Sequence, residues 1–313
     1  MNNVYISLEN GLGDKFLDLI GFYVICKCLN YKPNVEINRK FTNFDWGNNN
    51  YDIRLFDFND ITITNNNSCD FYIRSPNASS SLCPYKVYEF IKKFLPEITF
   101  EEISNYYNIY AKDIIKPSQT IISKIPNNIE NAYGIHLRKS DKVRPEYDCD
   151  VRHENLQIEF DIITDILINN VKNIIINEEE PVFLVVSEDD EWKDHFKNAM
   201  KNISINYNKN IEILEIDYTN ENNYNNYNSI LDMFCLSKCK TIIQGVKYSS
   251  FSILSSILGN CKLINYSTHL STGIYCLTHS WNSVIEINNK KNFDEDFHKK
   301  ITKNVLNIET NIL

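Results

Sequence analysis

The second half of the chain shows the clearer alternation of apolar and polar positions. Ala132 to Arg138 is a short apolar run ending in charge and reads as a strand. From Glu154 to Ile176, Leu156, Phe160, Ile163, Ile166 and Leu167 recur at helical spacing. Pro181 to Ser187 is a nearly all-apolar strand, followed by an acidic turn and a helix from Glu191 to Met200. The rhythm continues with a strand at Ile211 to Ile216, a helix at Ser229 to Ser237 and a strand at Thr241 to Gln244. A helix at Ser249 to Leu258 and a strand at Cys261 to Tyr266 complete it. Apolar strands alternating with helices predict a parallel sheet covered on both faces, with ligands at the carboxyl ends of its strands.

The first half is less regular. It opens with a strand at Asn3 to Leu8, a glycine turn and a helix from about Asp14 to Leu29. Short strands are expected at Val35 to Ile37, Tyr51 to Phe56 and Asp70 to Ile73. Helical stretches follow near Lys86 to Leu95, Phe100 to Tyr107 and Ser118 to Ser123. The polar stretch Pro126 to Asn131 marks a domain boundary, giving an N-terminal α/β domain over 1–128 and a Rossmann-like domain over 129–313. Two α/β domains with a cleft between them is the expected architecture.

Composition narrows the function classes. The 43% hydrophobic and 12% aromatic content excludes disorder. The net charge of −9 argues against a broad nucleic-acid surface but leaves room for a small basic pocket. Apolar runs such as Ser249 to Leu258 fall far short of the ~20 residues that span a bilayer, so no membrane span is expected. Met1 to Leu8 reads as a strand and lacks the basic start of a signal peptide. The nine cysteines, without zinc-ribbon spacing, read as free and mostly buried thiols of a reducing compartment. A cytoplasmic protein is expected, compatible with a bacterial or large-virus origin. Asparagine occurs 45 times, and its clusters at Asn48 to Asn50, Asn65 to Asn67 and Asn222 to Asn228 read as surface loops.

Three segments carry candidate chemistry. Gly11, Gly13 and Gly21 fall in or after the first strand-to-helix junction, where a Gly-x-Gly turn lets backbone approach a ligand and the helix N-terminus favours an anion. The alternative is a tight turn with Asp14 as N-cap. The segment lacks the Gly-Lys-Ser/Thr ending of a Walker loop. The densest segment, Gly134 to Glu146, presents His136, Arg138, Lys139, Asp141, Lys142, Arg144 and Glu146 at the end of a buried strand. Period-two alternation puts His136 and Arg138 on one side, and four cations within seven residues suit a diphosphate, the alternative being a solvated charged loop. In the third segment, Asp232 sits in an apolar helix, where a carboxylate needs a partner such as an N–H-rich ligand edge; the alternative is an N-terminal-turn carboxylate favoured by the helix dipole. Ser249 and Ser250 open the following helix, suited to phosphate oxygens or to capping.

Other acidic and histidine positions are less pointed. The turn Ser187 to Glu191 suits either a metal or a helix first turn, and Asp148/Asp150 has Asp-x-Asp spacing without the usual hydrophobic strand before it. His153, His195, His269, His279 and His298 show no ligand-like spacing, and no Ser or Cys triad can be assembled.

Gly134-Ile-His-Leu-Arg-Lys-Ser-Asp-Lys-Val resembles the His-x-Arg-Arg-x-Asp-Lys-Val segment of the α1,6-fucosyltransferases. These belong to a wider group with the α1,2- and protein O-fucosyltransferases and the rhizobial nodulation enzyme. Val185 to Asp190 is similar to that group's strand followed by Thr-Asp-Asp, and Ile230 to Ser237 and the Ser249–Ser250 helix start continue the match. Gly11-Leu-Gly-Asp14-Lys is similar to its Gly-x-Gly-Asn-Gln opening. The resemblance implies a GT-B arrangement: two Rossmann-like domains with parallel sheets facing a central cleft, the first binding acceptor and the second donor. It implies an inverting, metal-independent transferase with no cofactor, using GDP-fucose and a glycan acceptor. Arg138 would hold the β-phosphate with Lys142 helping, His136 would contact the ribose or phosphates and Asp232 the guanine. Ser249, Ser250 and Phe251 would line the phosphate site, and Glu146 would act as base. Lys139 stands where that group has a second arginine, and Asp14 where it has asparagine. Two other readings are a transferase for another GDP- or UDP-linked deoxyhexose, and a nucleotide- or glycan-binding protein without turnover.

Overall fold

The structure is a computed structural model that describes residues 3–7, 12–36, 53–58, 71–72, 82, 84–138, 156–224, 226–245, 250–267 and 308–312. The N-terminal part holds β1 (Asn3–Ser7), α1 (Leu12–Cys28), β2 (Lys32–Glu36), β3 (Phe56–Phe58) and β4 (Phe71–Tyr72). Then come α2 (Pro84–Lys92), α3 (Phe100–Ile114), β5 (Ile115–Pro117) and α4 (Gln119–Ile122). The C-terminal part runs β6 (Ala132–Leu137), α5 (Leu156–Asn177), β7 (Val182–Val186), α6 (Asp190–Asn206) and β8 (Glu212–Leu214). It ends with α7 (Tyr227–Lys238), β9 (Thr241–Gly245), α8 (Phe251–Gly259), β10 (Lys262–Ser267) and β11 (Ile308–Ile312).

β1 is the centre of a three-stranded parallel sheet in the order β2-β1-β4, and β3 pairs antiparallel with β5. The C-terminal sheet is wholly parallel, in the order β11-β10-β9-β6-β7-β8. From β6 the chain steps outward to β8, then crosses back to β9 and steps outward the other way. That is the doubly wound order of a Rossmann fold, and its reversal lies between β6 and β9.

Both faces of this sheet are covered, as the unbroken apolar strands predict. Ile135, Leu137, Phe183, Val185 and Ile243 pack against Ile163, Leu167, Trp192 and Phe196 of α5 and α6. The opposite face, with Leu184, Val186 and Ile242, meets α7 and α8. The same buried cluster continues into α1, α2 and α3, so α1 and α3 lie directly against α8. Helix α1 is buried nearly all round, including Lys15 and Asp18, each with only 1% of its surface exposed. The Asp18 carboxylate accepts the backbone N–H of Leu82.

Several boundaries differ from the sequence reading. Helix α3 runs on to Ile114, because Tyr107, Ala111 and Ile114 continue the buried stripe. A capping box starts it: the Thr99 hydroxyl accepts the N–H of Glu102, and the Glu102 carboxylate accepts the N–H of Thr99. Helix α6 extends to Asn206, and β8 is only three residues long. A 3-10 turn fills Ile53–Leu55, where the pattern suggested a strand.

Asparagine has a backbone role beyond loops. Every non-glycine residue with positive φ among those described is an asparagine: Asn30, Asn128, Asn208, Asn223, Asn226 and Asn260. Asn30, Asn208 and Asn260 follow the ends of α1, α6 and α8, the left-handed position usually given to glycine. A chain with eight glycines and 45 asparagines ends its helices with the next-best residue.

Candidate functional site

The carboxyl ends of β6 and β9 are level, with His136 opposite Gln244 and Leu137 opposite Gly245. Alternation sends Ile135 and Leu137 into the α5–α6 layer and leaves His136 on the α8 side. There its Nδ1 lies 2.5 Å from Ser252 Oγ, and its ring packs on Phe251 with centroids 5.2 Å apart. Arg138 follows directly beyond the strand end and is half-buried. Burial, with the Arg138 charge second, holds the His136 imidazole down to about 3. The ring is therefore a neutral hydrogen-bonding group at any physiological pH.

Helix α8 enters this corner N-terminus first. Ser250 occupies its N-cap position but makes no side-chain capping bond. Helix α1 arrives from the other sheet with its own N-terminus: a Cβ added to Gly13 would stand 2.5 Å from Ser250 Oγ, 2.8 Å from the Ser250 carbonyl carbon and 3.0 Å from the Phe251 nitrogen. Glycine at 13 is thus required for two helix N-termini to meet. Asp14 lies inside the first turn of α1 rather than at its cap, because the helix already begins at Leu12. Four elements of both sequence halves therefore converge on one corner, bringing together Gly13, Asp14, His136, Arg138, Ser250 and Phe251. The positive ends of two helix dipoles and the guanidinium give it an anion-attracting character.

Asp232 belongs to a second cluster beyond the carboxyl end of β7. It is buried on α7, and its Oδ1 accepts the Tyr218 hydroxyl at 2.7 Å. Lys193 stands over the Tyr218 ring at 5.3 Å and pairs with Asp190 at 2.7 Å. Burial pushes the Asp232 carboxyl up to about 7, opposed by the Tyr218 hydrogen bond and Lys193 and reinforced by Glu188 and Asp190. In the acidic turn, Asp189 caps α6 by accepting the Trp192 N–H at 2.8 Å. No group of three His, Cys, Asp or Glu among the described residues is placed to hold a metal ion.

His136 and Asp232 oppose one another in acid. His136 binds its proton more weakly folded than unfolded, so its contribution to stability falls as pH drops from about 6.5 towards 3. Asp232 binds its proton more tightly folded, so its contribution falls as pH rises from about 3.8 towards 7. Asp232→Asn keeps an acceptor for Tyr218 and removes only the second effect. Relative to the parent, this variant should gain about 1.4 kcal/mol of stability per pH unit across that window. Urea midpoints across the pH range check this, and a pH-independent difference between the two proteins counts against it.

Gly11, Lys139, Asp141, Lys142, Glu146 and Ser249 lie outside the described residues, as do Asp148 and Asp150. Sequence reasoning gave no role to Lys15, Ser252 or Tyr218. Lys15 and Ser252 adjoin motifs already singled out, whereas nothing local distinguishes Tyr218. The cysteines described, Cys26, Cys28, Cys235, Cys239 and Cys261, are all free thiols and all but Cys28 are buried. A groove of about 220 Å³ lined by Tyr23, Tyr31 and Tyr110 lies at the far end of α1, roughly 20 Å from Gly13, and is no part of this corner.

No family model matches the chain, and no curated protein matches it in sequence. Solved structures do. A mutant of FUT1 from Arabidopsis thaliana in complex with GDP superposes with a TM-score of 0.51 at 11% identity, covering 84% of this chain and 70% of that one. The protein has the GT-B fold. Fucosyltransferase NodZ from Bradyrhizobium is also similar, at TM-score 0.48 and 11% identity over 85% of this chain and 94% of that one. E. coli heptosyltransferase WaaC with ADP gives TM-score 0.37 at 11% identity, over 89% and 90%. In this GT-B chain the corner of His136 and Arg138 sits at the strand-order reversal, where open α/β sheets bind ligands. No helix among the described residues is long and apolar enough to cross a membrane.

Proposed function

We propose that the protein is an inverting, metal-independent glycosyltransferase that moves fucose from GDP-fucose to a glycan hydroxyl in the cytoplasm. The observation that carries this reading is the meeting of Arg138, His136 and the α1 and α8 N-termini at the β6–β9 reversal. The GT-B fold, shared with a fucosyltransferase solved with GDP, supports it.

Cleavage of the sugar–diphosphate bond builds positive charge on the ring and negative charge on the departing phosphate. Arg138, with Lys142 and Lys139, stabilises the leaving GDP, and the helix-start N–H groups beside Ser249, Ser250 and Phe251 share that charge. His136 binds a donor oxygen. Glu146 takes the acceptor proton as its oxygen attacks from the face opposite the phosphate, which inverts the anomeric centre. Asp141 belongs to the same charged segment and Asp232 selects guanine. Gly13 and Asp14 in the first turn of α1, with Gly11 just before it in sequence, close the site from the acceptor domain, residues 1–128. With cations on the diphosphate, no divalent ion is needed.

Calorimetric titration in EDTA tests this directly. GDP should bind saturably and UDP far more weakly, and GDP-fucose should turn over in the same buffer. Absence of binding by either nucleotide sinks the proposal. Turnover restored only by Mn²⁺ would instead favour a metal at Asp148 and Asp150.

A further inference from the structure

We infer that Ser252 is a positioning residue that fixes the tautomer of His136, leaving Nδ1 as acceptor and Nε2 as an N–H donor for an oxygen of the bound ligand. The ligand is the donor diphosphate of the function proposed above; the tautomer itself is independent of that reading.

Ser252 is fully buried, and its Oγ lies 2.5 Å from His136 Nδ1. Two arrangements fit that distance. If Nδ1 carried the ring proton it would donate to Oγ, and the serine's own proton would be a buried donor with no acceptor among the described residues, a costly state. If Ser252 donates to a bare Nδ1, the hydroxyl and Nδ1 satisfy one another, and the ring proton resides on Nε2, where it is left for an oxygen of the ligand. The neighbouring serines of α8 illustrate the alternative use of a hydroxyl: Ser255 and Ser256 donate to the carbonyls of Phe251 and Ile253, at 3.0 and 2.8 Å. Ser252 is aimed at the imidazole instead. The ring is kept neutral by burial, so a single tautomer is well defined. Phe251 lies beside the ring, tilted 36° to it with centroids 5.2 Å apart. His136 thus offers a fixed N–H, matched to an acceptor-only oxygen such as that of a phosphate, and needs no positive charge of its own.

Long-range ¹⁵N–¹H correlation spectra of the full chain without ligand read the tautomer, with His136→Gln identifying the signal among six histidines. Nδ1 should resonate as an unprotonated nitrogen and Nε2 as a protonated one. In Ser252→Ala this bias should be lost and GDP affinity should fall on the order of 5- to 10-fold. Ser252→Thr, which keeps the hydroxyl, should restore both. A proton on Nδ1 in the parent protein, or an unchanged tautomer in Ser252→Ala, overturns the inference. The expected tautomer in a protein that binds no GDP supports the assignment to Ser252 while removing the transferase proposal.

Discussion

Arg138→Ala is expected to lower GDP-fucose turnover by at least about two orders of magnitude with little change in stability. The two parts of that expectation have different causes. Strand β6 is held by Ile135 and Leu137, with 0% and 1% of their surfaces exposed, and Arg138 lies just beyond it and half-buried. Trimming the arginine leaves those two anchors of the strand in place. What it removes is the one described cation at the strand end, where leaving-group charge would develop. A fixed charge at such a site typically lowers the barrier by about 3–4 kcal/mol. Arg138 also helps depress the His136 pKa, so the imidazole should titrate at higher pH in the variant. Turnover within twofold of the parent would remove Arg138, and with it the proposed mechanism.

Gly13→Val is expected to cost about 1–3 kcal/mol of stability and to weaken donor binding on the order of 10²-fold. The new Cβ would meet backbone as well as a side chain, at 2.8 Å from the Ser250 carbonyl carbon and 3.0 Å from the Phe251 nitrogen. A side chain can rotate away; the first turn of α8 cannot. The helices must separate, carrying Phe251 and Ser252 off His136. Urea denaturation and GDP calorimetry measure the two effects. A variant with native stability and native GDP affinity would show that α1 and α8 do not meet as described.

Strands β6 to β10 of the C-terminal sheet were legible because each is governed by a local period. Val182 to Val186 is apolar at every position and is buried at every position, as a central parallel strand must be. Strands β5 and β11 escaped notice for the converse reason. Three and five residues without distinctive alternation become strands only when β3 and β10 supply edges to pair with. The start of α1 at Leu12 was similarly hidden, since Asp14 is an acceptable cap in sequence and a first-turn residue in fact.

At the site itself, the charged segment ending β6 stood out from its composition, and alternation set His136 apart from its strand neighbours. The partners of those groups could not be read in the same way. His136 and Ser252 are 116 residues apart, Gly13 and Ser250 further still, and Tyr218 reaches Asp232 from an otherwise ordinary loop. The sequence alone determined which segments would be strand or helix and which would carry charge, because those properties follow from the order of side chains over a few residues. Only the tertiary structure decided that two helix N-termini and two strand ends share a corner, because that depends on strand order and on how closely one backbone can approach another.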